Sequence, residues 1–98
     1  MSSQDLDFLL TLESTIANRL ENPSEQSYTS GLVAQGAKRV AQKVGEEGVE
    51  LALAAVTGDR EEIVNEAADL LYHTVVLLRS HGVELREVVA SLEARHTA

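Results

Sequence analysis

Ninety-eight residues, 44% of them hydrophobic but only 3% aromatic, suffice for one domain spanning 1–98 and are too few for two separate cores. Sixteen acidic against eight basic residues give a formal charge of −8, which repels nucleic-acid backbones and anionic membranes and excludes both as expected partners. Zero cysteines exclude disulfides, thiolate metal sites and thiol nucleophiles together; with no leader-like start and no apolar run of spanning length, the expected location is the cytoplasm.

Ala, Glu, Lys, Leu and Arg, all strong helix formers, make up 46 of the 98 residues, there is one proline, and no Asn-Gly or Asp-Gly hairpin signal occurs, so the expected class is all-α. In chain order, Leu9, Leu12, Ile16 and Leu20 mark one face of a helix over about Asp5 to Glu21, ended by Asn22-Pro23. Ser24 to Ser30 reads as a polar loop. A second helix is expected from about Leu32 or Ala37 to Val56, with Gly45 and Gly48 inside it at a cost of about 1 kcal/mol each, tolerable where another helix or a ligand comes close. Gly58 suits the end of that helix, and Asp59 with Glu62 suits a capping box for a third, running to about Ser80 and stopped by His81-Gly82. Its apolar arc (Ile63, Ala67, Leu70, Leu71, Thr74, Val75, Leu77, Leu78) is wide enough to predict burial against several neighbours. Leu85, Val88, Val89 and Leu92 mark a last helix. The expected architecture is an antiparallel bundle of about four helices, completed by pairing with a second copy, because a chain of this length buries only about two-thirds of its unfolded surface.

Two acidic clusters carry the chemistry. At about 100° per residue, Arg39, Glu46, Glu50, Lys43 and Glu47 share one arc of the second helix, and Glu62, Glu66, Asp69 and His73 form a stripe on the third, expected opposite its apolar arc. A tight turn between the two helices makes them antiparallel neighbours, with Glu50 and Glu66 equidistant from Gly58 and Glu47 level with Asp69 one turn further out. Two carboxylates from each helix would suit Mg²⁺, a hard cation that takes oxygen ligands and is commonly shared with substrate phosphates. Lys43, and with less reason Lys38 and Arg39, could then meet phosphate oxygens. Ordinary solvated helix faces give the same spacing, and periodicity alone leaves both readings open.

Glu46-Glu47-x-x-Glu50, fifteen intervening residues, then Glu66-x-x-Asp69 resembles the acidic signature of the all-α nucleoside triphosphate pyrophosphohydrolases, the superfamily of MazG and the dimeric dUTPases. The runs Ser27-Tyr28-Thr29, Lys38 to Glu47 and Asn65 to His73 resemble, more narrowly, the phosphoribosyl-ATP pyrophosphohydrolases of histidine biosynthesis, over about Leu6 to Arg95. The resemblance implies a MazG-like fold and hydrolysis of phosphoribosyl-ATP to phosphoribosyl-AMP and pyrophosphate with Mg²⁺, in a homodimer whose active site lies near the subunit interface. It implies Glu47, Glu50, Glu66 and Asp69 as metal ligands and Glu46 as a further ligand or as the base for the attacking water, with Glu46 and Glu47 the catalytic pair. In many organisms the domain is fused to the cyclohydrolase of the next step; the length and the lack of cysteine here suit the stand-alone form. Substrate contacts are expected from Lys43, Lys38, Arg39, Tyr28, Thr29 and His73. For Lys43 a salt bridge to Glu46 or Glu47 is the competing reading, for Thr29 a helix cap, and for His73 partnership with a neighbouring carboxylate. A house-cleaning pyrophosphatase of the same superfamily and a non-catalytic helical module are the alternatives.

Overall fold

The computed structural model describes residues 3–97. They form five helices and, among the described residues, no strand: α1 (Ser3–Glu21), α2 (Tyr28–Ala34), α3 (Ala37–Thr57), α4 (Arg60–Ser80) and α5 (Leu85–His96). The fold is all-α, consistent with a MazG-like arrangement, and no helix is long and apolar enough to cross a membrane.

The expectation of about four helices needs one correction. Tyr28, Thr29 and Ser30 are not loop but the first turn of α2, capped by Ser27, whose hydroxyl accepts from the Ser30 amide at 3.1 Å. Gly36, with φ 101°, then breaks the chain before α3, so Leu32 belongs to α2 and Ala37 opens the longer helix. A seven-residue helix has too few turns to show its period in sequence, and its serine and threonine suit turns as readily as caps.

Most interhelical packing is between α3 and α4. Gly58 closes α3 at φ 77°, a left-handed conformation that strains any residue with a Cβ. Asp59 Oδ1 accepts from the Glu62 amide at 3.2 Å and starts α4, which folds back antiparallel. The core is small: Ile16 of α1, Leu32 of α2, Val40 of α3, and Val75 and Val76 of α4, with Leu12, Leu20, Val33, Tyr72, Leu77 and Leu85 against it. Ile16, Val40, Val75 and Val76 are buried almost completely, each such side chain contributing roughly 1.5–3 kcal/mol.

Two packing expectations change. The polar stripe of α4 is not wholly outward: it carries His73 and Val76 into the interior, while Glu62 and Asp69 stay exposed and Leu71 of the apolar arc stays 40% exposed. Gly45 and Gly48 meet no other helix of this chain, since a Cβ built at either finds open space. At the far end, α5 has a capping box from Glu84 and Glu87 but no buried residue. It is held at its first amide, which donates to Glu13 Oε2 at 2.6 Å, and Glu13 also lies 3.9 Å from the Arg79 guanidinium.

Candidate active site

The α3–α4 hairpin brings the two acidic clusters together at the heights counted from the turn. Carboxylate oxygens of Glu47, Glu66 and Asp69 lie within 4.8 Å of one another. Glu50 joins them: its carboxyl is pushed up to about 6, first by the hydrogen bond it shares with Glu66 and then by the one with Glu47. That is the behaviour of an acid surrounded by acids, where one proton is retained to relieve repulsion. Glu50 also lines, with Leu53, Ala54, Thr57, Glu62 and Glu66, an open cavity of about 220 Å³ towards the turn.

Glu47 is the inward member, 5% exposed. Burial, the largest single influence, works to raise its carboxyl, but the Lys43 ammonium, one turn back at 3.2 Å, and the hydrogen bond from Glu50 together hold Glu47 below the ordinary carboxylate range. The same hydrogen bond raises Lys43. Lys43 therefore keeps its charge beside the cluster, and the salt-bridge reading of this residue is realised alongside its position next to the acids.

Buried Oε2 atoms of Glu47 and Glu66 have no hydrogen-bond partner among the described residues. Around Glu47 the carboxyl of Glu50 can supply a proton only while it remains protonated. Burying a carboxylate oxygen unpartnered is costly, so the arrangement calls for a cation. The donor set is all carboxylate oxygen, with no sulfur or imidazole nitrogen among the clustered atoms, which fits a hard divalent ion of the magnesium type.

The other expected site residues are distributed less evenly. Glu46 is 45% exposed and turned along its own helix, 3.8 Å from Arg39 and 3.9 Å from Lys43, and accepts from Gln42 at 3.1 Å. It stands outside the carboxylate cluster. Arg39 is occupied with Glu46, and Lys38 is exposed near the start of α3. Tyr28 is 57% exposed and reaches His73 Nε2 with its hydroxyl at 3.0 Å. His73 is 6% exposed, and its Nδ1 lies 2.7 Å from the main-chain oxygen of Asp69. Thr29 is buried and hydrogen-bonds the Tyr72 hydroxyl rather than facing solvent. Tyr72 went unpredicted as a partner: its bond to Thr29 links residues 43 apart in sequence, which no local pattern reveals.

The sequence model of the family described as phosphoribosyl-ATP pyrophosphohydrolase matches residues 9–96. The chain belongs to this family. Among curated relatives, three proteins named histidine biosynthesis bifunctional protein HisIE show the degree of similarity. That of Photobacterium profundum is 54% identical over 93% of this chain and 44% of its own length. That of Shewanella oneidensis is 55% identical over 91% and 42%, and that of Escherichia coli K12 is 54% identical over 91% and 44%. The chain thus spans less than half the length of these relatives. Membership suggests a divalent metal, and the acidic cluster lies within the matched residues.

Proposed function

We propose that this chain hydrolyses phosphoribosyl-ATP to phosphoribosyl-AMP and pyrophosphate, the second step of histidine biosynthesis, working in the cytoplasm as a homodimer. The observation that carries the chemistry is the carboxylate cluster of Glu47, Glu66 and Asp69, joined by Glu50, in which one buried oxygen each of Glu47 and Glu66 has no hydrogen-bond partner among the described residues. Family membership carries the substrate. Glu47, Glu50, Glu66 and Asp69 would hold Mg²⁺. When bound, the ion supplies charge neutralisation for the triphosphate and activation of the attacking water between the α and β phosphates.

The chain's own residues complete the work. Lys43, kept cationic by Glu47, offers its ammonium to phosphate oxygens beside the acids. Glu46 restrains Lys43 and Arg39 on the same face, and to act as the base it would have to leave those pairs. Arg39 and Lys38 extend the positive margin by which the triphosphate approaches an otherwise acidic chain. Tyr28, near enough to influence the Lys43 ammonium, presents an exposed ring, whereas Thr29 and His73 are buried and hold the neighbouring structure in place.

Substrate identity is tested by pyrophosphate release from phosphoribosyl-ATP, dUTP and dCTP under matched conditions. Preference for phosphoribosyl-ATP is expected. Equal or faster release from the deoxynucleotides would replace it with the house-cleaning reading.

A further inference from the structure

The first turn of α2 meets α4 through two neighbouring hydrogen bonds. Tyr28 binds His73, and Thr29 binds Tyr72. The three rings form a compact group, with His73 edge-on to both tyrosines at centroid distances of 5.8 and 5.0 Å. What fixes the proton positions is the far side of the imidazole. Nδ1 faces the Asp69 carbonyl oxygen at 2.7 Å, and a carbonyl can only accept, so Nδ1 carries the hydrogen. In the neutral ring Nε2 is then bare, and the Tyr28 hydroxyl must be the donor in its bond to Nε2.

The consequence reaches the substrate. With its only proton committed to His73, the Tyr28 oxygen has nothing left to donate and can only accept from whatever lies against it. A phosphate oxygen at neutral pH is an acceptor and cannot use such a partner; a sugar hydroxyl or an N–H of the base can. We propose that His73 is a positioning residue which, anchored on the Asp69 carbonyl, makes Tyr28 an acceptor-only contact for a hydroxyl or N–H of the nucleotide's sugar or base, not for its phosphates. This rests on the proposed pyrophosphohydrolase activity for the substrate. The proton assignment itself does not. Tyr28 and His73 thereby divide recognition with Lys43: the ammonium takes the anionic end, and the tyrosine takes a polar donor beyond it. The same arrangement links α2 to the acidic cluster, because the carbonyl that orients His73 belongs to Asp69.

Two measurements test it. Ring-nitrogen NMR of the intact metal-free protein, read on the neutral form of the His73 ring, is expected to show a proton at Nδ1 and none at Nε2. A proton on Nε2 would overturn the assignment whether or not the protein turns over phosphoribosyl-ATP. In steady-state kinetics, Tyr28→Phe is expected to raise KM for phosphoribosyl-ATP about 10-fold, at the low end for loss of a positioning partner, with kcat nearly unchanged. Its inhibition by Mg-pyrophosphate, a ligand with phosphate groups alone, is expected to match wild type. Weaker pyrophosphate inhibition in parallel with KM would place Tyr28 on the phosphates and overturn the proposal. His73→Asn keeps a donor near Nδ1 but removes the acceptor, and is expected to match Tyr28→Phe without adding to it in the double variant; His73→Gln, with an amide oxygen near Nε2, is expected to recover most of the loss. Additive effects, or equal failure of both His73 variants, would show a merely structural histidine. Absence of wild-type turnover would sink the substrate reading and leave the NMR result standing.

Discussion

At the scale of single residues, the central contrast is between Glu47 and Glu50, two carboxyls one turn apart with opposite displacements. Against the effect of its burial, Glu47 is held down by Lys43 and Glu50 together, while Glu50 is pushed up to about 6 by Glu66 and Glu47. A raised carboxyl means that the folded protein holds more protons than the unfolded chain between 4.5 and about 6. The contribution of Glu50 to metal-free stability is therefore present below that window and lost as pH rises through it. Glu47 runs the other way, contributing above the ordinary carboxylate range and losing that contribution as pH falls. In chelator, Glu50→Gln is expected to melt above wild type by a margin that widens from pH 4.5 to past 6. A margin independent of pH would show that Glu50 does not share a proton with its neighbours. These residues were legible in sequence because helix periodicity fixes angular position and the turn fixes height. Their different environments were not, since burial of Glu47 and exposure of Glu46, adjacent in sequence, depend on how α4 rolls against α3.

At the scale of elements, the turn and the caps divide the stability between them. Gly58 sits at φ 77° with open space around its missing side chain, so Gly58→Ala tests backbone strain alone. It is expected to destabilise by about 1–2 kcal/mol in a denaturant titration. A neutral result would mean the α3–α4 connection relaxes without a left-handed residue. Helix α5 is tied at its first amide to Glu13 and packs Leu85 against the core, but contributes no fully buried side chain. Glu13→Ala is expected to speed amide exchange through residues 85–96 while leaving α3 and α4 protected; uniform loss of protection would assign Glu13 to the core instead. α1, α3, α4 and α5 were readable from apolar spacing, Pro23, Gly58 and Gly82. α2 was not, because a short helix is made by its Ser27 cap and by bonds to Tyr72 and His73 that lie far away in sequence. The wide apolar arc read on α4 does pack against more than one helix, α3 and α1, with Val75 fully buried; what composition did not show is that Val76, on the polar stripe, is buried as well while Leu71 stays 40% exposed.

At the scale of the whole molecule, a single copy leaves much apolar surface in water. Val49, Leu53 and Val56 line one stripe of α3 with exposures of 60%, 61% and 85%, and Val64 and Leu71 are exposed on α4. The radius of gyration, 14.6 Å, exceeds the roughly 13 Å expected of a compact chain of about 100 residues. These observations support the proposed homodimer, since contiguous apolar surface on a small domain marks an interface. Val56→Arg changes a side chain that touches little within the monomer and is expected to weaken dimerisation at least about 10-fold by sedimentation. Unchanged association would place the interface elsewhere. Pairing along α3 would also set a second copy beside Glu50 and the cavity it lines.

The proposed activity meets its most direct test in pyrophosphate release from phosphoribosyl-ATP, measured with and without Mg²⁺ for wild type beside Glu47→Gln. Turnover is expected only with the metal, and the variant is expected to lose at least about 100-fold, the upper end of what a partner outside the coordination shell would cost. Substitution there removes both repulsion among the acids and the pairing with Lys43, so the variant's melting temperature is measured beside its activity to separate loss of fold from loss of catalysis. Wild-type turnover that ignores Mg²⁺ or survives Glu47→Gln would contradict the acidic cluster as the catalytic centre.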